Sequence, residues 1–160
     1  GTIPGRAERV QKGQGYTVIV DYAHTPDSLR ALFETFKQRR IIAVMGSTGG
    51  GRDKWKRIEM GKIAEEYCDI VILTNEDPYD EDPQTIVNEI AKGFAKKRPH
   101  IMLDRRAAIR EAFREAKEGD VVLITGKGTD PYIMGPHGTK QDWSDKKVAE
   151  EELKKLGYNK

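Results

Sequence analysis

Residues 16–29 read YTVIVDYAHTPDSL, and the fold follows from how that stretch divides. Tyr16 to Asp21 is a β-branched apolar run without clean alternation, which suits a strand buried on both faces of a parallel sheet. Thr25-Pro26-Asp27 then sets a capping side chain just before a proline, the start signal of a helix. From Pro26 to Lys37 the residues Leu29, Leu32, Phe33 and Phe36 make one apolar stripe. The same grammar returns along the chain. Further strands are expected at Ile41 to Gly46, Ile70 to Thr74, Ile101 to Leu103 and Val121 to Thr125. Helices are expected at Trp55 to Tyr67, Gln84 to Lys96, Arg106 to Lys117 and Lys146 to Leu156. Asp82-Pro83 is a second helix start and Gly119 a helix stop. Strand and helix in alternation predict an α/β fold, a mostly parallel doubly wound sheet with helices on both faces.

The chain has 160 residues, 37% of them hydrophobic, enough for the core of one domain. Charged residues reach 34%, yet 28 basic against 26 acidic leave a formal charge of only +2. So even a balance argues against a broad nucleic-acid footprint. The longest strictly apolar run, Ile41 to Met45, is far too short for a bilayer, and no apolar secretory segment follows Gly1. A single cysteine, Cys68, excludes an internal disulfide and a cysteine-based zinc cluster; it reads as a small buried hydrophobe. The expectation is a soluble, cytoplasmic domain with neither nucleic acid nor membrane as partner. Gly1-Thr2-Ile3-Pro4-Gly5-Arg6 opens a stretch without periodicity, so residues 1–15 are read as an interdomain linker and lead-in, and 16–160 as the domain.

Ligands of open α/β sheets bind beyond the carboxyl ends of the strands, and here those ends are unusually polar. They carry Asp21-Tyr22-Ala23-His24, then Gly46 to Asp53, then Asn75 to Asp82, then Gly126-Lys127-Gly128-Thr129-Asp130. Four loops of distinct chemistry on one edge are the main physical pointer to a site. Gly46 and Gly51 have the spacing of a phosphate-binding loop, but Arg52-Asp53 stands where Lys-Ser or Lys-Thr is required. That loop either makes room for a neighbour or binds an anion directly. His24 is either structural or a ribose or phosphate contact. His24, His100 and His137 have no metal-ligand spacing. Glu76 to Asp82 holds five carboxylates in seven residues. They form either a solvated loop capping the next helix or a pocket for a cation.

Taken together, these segments resemble one family. Val18 to Leu29, Gly5-Arg6-Ala7-Glu8, Gly50-Gly51-Arg52-Asp53 with Lys56-Arg57 and Met60-Gly61, Glu76-Asp77-Pro78, Asp104-Arg105, Gly126-Lys127-Gly128 and Trp143-Ser144-Asp145 resemble, in order, the C-terminal domain of the Mur ligases. They are most similar to the branch that adds the third residue of the peptidoglycan stem. The resemblance implies a Rossmann-like domain that closes as a lid over ATP and binds the incoming amino acid. N-terminal and central domains of the parent would hold the UDP-sugar, ATP and Mg²⁺. The reaction implied joins a diamino acid to UDP-N-acetylmuramoyl-L-Ala-D-Glu through an acyl phosphate, with no catalytic residue in this domain and activity only in the whole ligase.

By that resemblance Arg6, Asp21 and His24 contact the nucleotide. Arg52 grips a carboxylate of the amino acid, its planar fork suiting that task. Glu76 and Asp77 occupy the first two positions of the family's Asp-Asn-Pro-Arg motif, and Gly126 and Asp130 lie in its Gly-Lys-Gly-His-Glu motif. Tyr79 stands where diaminopimelate enzymes have the arginine that would pair the distal carboxylate. Without that arginine, and with Glu76, Asp77, Asp80 and Asp130 nearby, the pocket is expected to favour L-lysine or ornithine over meso-diaminopimelate. The alternatives left open are a related ligase such as cyanophycin synthetase and a free-standing module that binds a nucleotide or a cationic amino acid.

Overall fold

The computed structural model describes residues 5–51 and 54–160. Its centre is a six-stranded sheet made of β1 (Glu8–Arg9), β2 (Thr17–Asp21), β3 (Ile41–Met45), β4 (Ile70–Leu73), β5 (His100–Ile101) and β6 (Val121–Thr125). Their spatial order is β1-β2-β6-β3-β4-β5, parallel throughout except for β1. Five helices flank it: α1 (Pro26–Thr35), α2 (Trp55–Tyr67), α3 (Pro83–Ala91), α4 (Arg105–Glu115) and α5 (Asp145–Lys155). A hairpin of β7 (Tyr132–Met134) and β8 (Lys140–Asp142) stands apart from the sheet.

The period-two geometry of a strand divides the core in two. Ile19, Ala43, Met45 and Leu123 face Leu29, Phe33, Met60, Ile63, Ile86 and Ile90 of α1, α2 and α3. Val18, Val20, Ile42, Val44, Val122 and Ile124 face Ile109, Phe113, Val148 and Leu153 of α4 and α5. Both faces are therefore covered, which explains the runs without polar alternation. The connection from β5 returns through α4 on the second face and inserts β6 between β2 and β3. The loops after β2, β3 and β4 thus gather around the end of β6, where an open α/β sheet binds its ligands.

Helix starts follow the expected chemistry. Thr25 and Ser28 form a reciprocal capping box on α1, and Asp82, Asp104 and Ser144 cap α3, α4 and α5. The buried Cys68 ends α2. Two expectations about helix ends need correction. Helix α3 ends at Ala91, not at Lys96. Gly93 lies so close to Ile58 of α2 that an added Cβ would collide with that carbonyl. Beyond it the amides of Ala95, Lys96 and Lys97 donate to the Glu65 carboxylate instead of continuing the helix. Helix α4 likewise stops at Glu115, and Gly119, at φ +87°, serves the turn into β6 instead. Residues 5–15, within the expected lead-in, join the fold: β1 pairs with β2, Val10 is buried, and the Ala7 amide donates to Asp21. Among the described residues no helix is long and apolar enough to cross a membrane.

Candidate functional site

Asp21 ends β2 and is almost fully buried. One of its carboxylate oxygens accepts from the Ala7 amide at 2.6 Å and the other from the Ala23 amide at 2.7 Å. It therefore clamps the lead-in segment to the loop after β2. The structure brings Arg6, Asp21 and His24 together on one cleft of about 530 Å³, completed by Tyr22, Thr25 and Ser28. Arg6 and His24 are exposed. The His24 ring packs edge-on to Tyr22 at 4.8 Å, and Nδ1 lies 2.9 Å from the Tyr22 carbonyl. That contact requires the proton on Nδ1, so a neutral ring offers Nε2 as an acceptor. His24 and Thr25 also border a second cleft of about 260 Å³, lined by Ser47, Thr48, Gly51, Lys54, Lys56 and Arg57.

The glycine-rich loop after β3 is not simply a space-maker. An added Cβ at Gly46 would strike the Thr74 carbonyl, and one at Gly49 the Pro78 carbonyl. Thr48 bridges to Asp77 and the Gly49 amide donates to the Asp77 carbonyl, so this loop is laid against the loop after β4. An added Cβ at Gly50 or Gly51 would meet nothing, and the Gly50 amide donates to Glu81 at 3.0 Å. Arg52, the expected carboxylate grip, lies outside the described residues together with Asp53.

Glu76, Asp77, Tyr79, Gly126 and Asp130 do converge, across the loops after β4 and β6. Lys127, only 1% exposed, donates to both oxygens of Asp77 at 2.8 and 2.9 Å and stands 3.6 Å from Asp130. Asp77 also accepts from the Met134 amide, and Tyr79 donates its own amide to the Met134 carbonyl. The β7–β8 hairpin is held on the acidic loop by these bonds. Tyr79 takes φ +53°, a left-handed conformation sparsely used by residues other than glycine. Its ring is largely exposed. Beneath this layer Arg105 pairs with Asp145 through two bonds of 2.9 Å, donates to the carbonyls of Asn75 and Thr125, and shares Asp145 with the Trp143 indole. Four segments distant in sequence thus meet in one buried network.

The acidic stretch is not a free anionic pocket, because most of its carboxylates already have partners within the fold. Glu81 is bound by Arg57 at 2.6 and 3.0 Å, which holds its carboxyl down at about 2. Asp80 accepts from the His137 amide and Asp82 caps α3. Asp77 is neutralised by Lys127. Glu76 is fully buried, and loss of hydration pushes its carboxyl up to about 7 even with Arg105 and Lys127 pulling the other way. Sequence reasoning gave no role to Arg57, Arg105, Lys127 or Asp145. The usable signal was their placement: each lies beside a strand end or a helix start, where a charge is seldom buried without a partner.

Among the described residues no group of three or more His, Cys, Asp or Glu side chains is arranged to hold a metal. The nucleotide fits better: an exposed guanidinium and an imidazole acceptor share one cleft.

A family model described as the Mur ligase, glutamate ligase domain matches residues 5–128. A UDP-N-acetylmuramoyl-L-alanyl-D-glutamate--2,6-diaminopimelate ligase of Solibacter usitatus is 46% identical over 98% of this chain and 32% of its own length. The enzyme of the same name from Clostridioides difficile is 44% identical over 96% of this chain and 32% of its own length. A solved structure with that name superposes with a TM-score of 0.88 at 32% identity, covering 98% of this chain and 33% of that one. The chain spans about a third of the length of the curated relatives it matches.

Proposed function

The chain belongs to the Mur ligase family, matching its glutamate ligase domain over residues 5–128, and from that premise we propose that it is the amino-acid-binding lid of an ATP-dependent amide ligase. The parent joins a diamino acid to UDP-N-acetylmuramoyl-L-Ala-D-Glu in the cytoplasm. The substrate carboxylate is activated as an acyl phosphate by ATP, with release of ADP; the neutral amine nitrogen then bonds to the acyl carbon and gives up a proton, and the phosphate leaves with the bonding pair of its C–O bond. ATP and Mg²⁺ supply the phosphoryl transfer, held mainly by further domains. This chain's residues bind and orient, and closing the lid keeps water from the acyl phosphate.

The observation that carries this reading is the cleft shared by Arg6, Asp21 and His24, which has His24 and Thr25 in common with the cleft along the glycine-rich loop. In the proposal Arg6 meets phosphate, His24 offers Nε2 to the nucleotide, and Asp21 holds the loop that presents them. Arg52 takes a carboxylate of the amino acid. Asp77, Tyr79, Gly126 and Asp130 border its side chain, with Glu76 beneath.

The names of the relatives point to 2,6-diaminopimelate as the amino acid. A second reading, L-lysine or ornithine, is favoured by Tyr79, which puts a phenol where the distal carboxylate would need a guanidinium. The electrostatic half of that second reading has weakened, because Lys127 and Arg57 already answer Asp77 and Glu81.

The roles separate kinetically in the full-length parent. Arg52→Ala is expected to raise KM for the amino acid about tenfold or more with little change in KM for ATP, the loss of one charge-assisted pair. Arg6→Ala is expected to do the reverse. Equal effects of either change on both constants would remove the assignments.

A further inference from the structure

The buried charges under the proposed amino-acid site do not balance. Three carboxyl groups, those of Glu76, Asp77 and Asp145, share the space with two cations, Arg105 and Lys127, and all five residues are at most 7% exposed. Arg105 is committed to Asp145 and to two carbonyls. Lys127 is committed to Asp77, with half-exposed Asp130 as its more distant partner. Neither cation makes a hydrogen bond to Glu76.

The geometry around Glu76 is correspondingly tight. Its Oε1 is buried and makes no hydrogen bond to any of the described residues. It lies against Gly126, at φ +101°, where an added Cβ would collide with it. The charged and titratable groups facing it come from every packed element: Tyr22 after β2, Asp77 beside it, Arg105 on α4, Lys127 after β6 and Asp145 on α5. An ionised carboxylate at this depth without its own counter-charge is strongly disfavoured.

We propose that Glu76 carries a proton in this arrangement of the loops and is a positioning residue for the incoming ammonium group, acting through Lys127. When that ammonium docks against Asp77 and Asp130, Lys127 turns from them toward Glu76, which lies against the neighbouring Gly126. Glu76 then gives its proton to the buffer and becomes the counter-ion of Lys127. One positive charge enters the cluster and one proton leaves, so its net charge is unchanged. Affinity for the amine therefore rises with pH until Glu76 is ionised without help. The upward displacement of the Glu76 carboxyl to about 7 puts that range near neutrality. The inference rests on the amino-acid site proposed above, but its first half does not.

The first experiment uses this chain alone. Carbon-13 NMR of uniformly labelled glutamate carboxyls, titrated from pH 5 to 9, is expected to show one carboxyl titrating near neutrality. That signal is assigned by its loss in Glu76→Gln, or in the wild type by contact with Gly126 if the variant does not fold. All glutamate carboxyls ionised by pH 6 would overturn the proposal, whatever the ligase does. The second uses the full-length parent with L-lysine and with meso-diaminopimelate. The wild-type KM is expected to fall about tenfold from pH 6 to pH 8 beyond the fall in Glu76→Gln, as release of one proton requires. Glu76→Asp is expected to restore the steeper profile, and kcat is expected to change little with the slope. Parallel KM profiles in wild type and Glu76→Gln would overturn the coupling. A parent that accepts neither amino acid would instead count against the function proposed above and leave the titration result standing.

Discussion

Glu76 also makes a claim that needs no substrate. Its carboxyl ordinarily titrates at 4.5 and is pushed up to about 7 in the folded chain by burial. Between those two values the folded state binds more protons than the unfolded state, so this group's contribution to stability is complete below pH 4.5 and is lost as pH rises through 7. Glu76→Gln removes that dependence. The variant is expected to gain stability relative to wild type from pH 5 to pH 8, by an amount on the order of 3 kcal/mol. Urea midpoints of both proteins across that range check it, and a constant difference would contradict it. Glu81 and Glu152 are held down at about 2, so their contributions are present above the ordinary carboxylate range and vanish only as pH falls toward 2. They cancel in the comparison. None of this was legible at the level of the residue. Glu76 read as one of five loop carboxylates, and only the folded chain shows that Lys127 and Arg57 consume its neighbours while it is buried.

At the scale of the elements, local rules carried the helix starts and the strands, because both depend on residues within one turn or on period-two burial. Thr25, Asp82 and the run Val121 to Thr125 behave as their neighbours require. Ends and edges escaped because partners far along the chain decide them. Helix α3 stops where Glu65 of α2 takes three amides, β1 exists because β2 offers an edge, and the β7–β8 hairpin buries only Ile133 deeply. Helix α2 meets α3 and the turn just beyond it through Gly61 and Gly93: an added Cβ at Gly61 would strike the Ile90 carbonyl, and one at Gly93 the Ile58 carbonyl. Gly93→Ala is therefore expected to destabilise the chain by roughly 3 kcal/mol, through overpacking against backbone that cannot yield. Thermal or chemical unfolding measures this, and a loss below about 1 kcal/mol would mean that the helices part without cost.

At the scale of the whole molecule, the sheet order gathers the loops after β2, β3 and β4 around the end of β6, and the sequence already pointed to that edge through the polarity of four strand-end loops. The chemistry of the edge was harder to read. Ion pairs such as Arg105 with Asp145 and Lys127 with Asp77 join residues 40 and 50 positions apart. Spacing cannot reveal them, and they decide which charges remain for a ligand. In the function proposed above, this chain orients substrates and phosphoryl transfer belongs to the rest of the ligase. The most direct measurement is phosphate release with ATP, Mg²⁺, UDP-N-acetylmuramoyl-L-Ala-D-Glu and either L-lysine or meso-diaminopimelate. It is made on this chain and on its full-length parent, with products identified by mass spectrometry. The predicted result is no turnover by the chain alone and amide formation by the parent with one of the two amino acids. Turnover by the chain alone, or a parent that forms no amide with either, would contradict it.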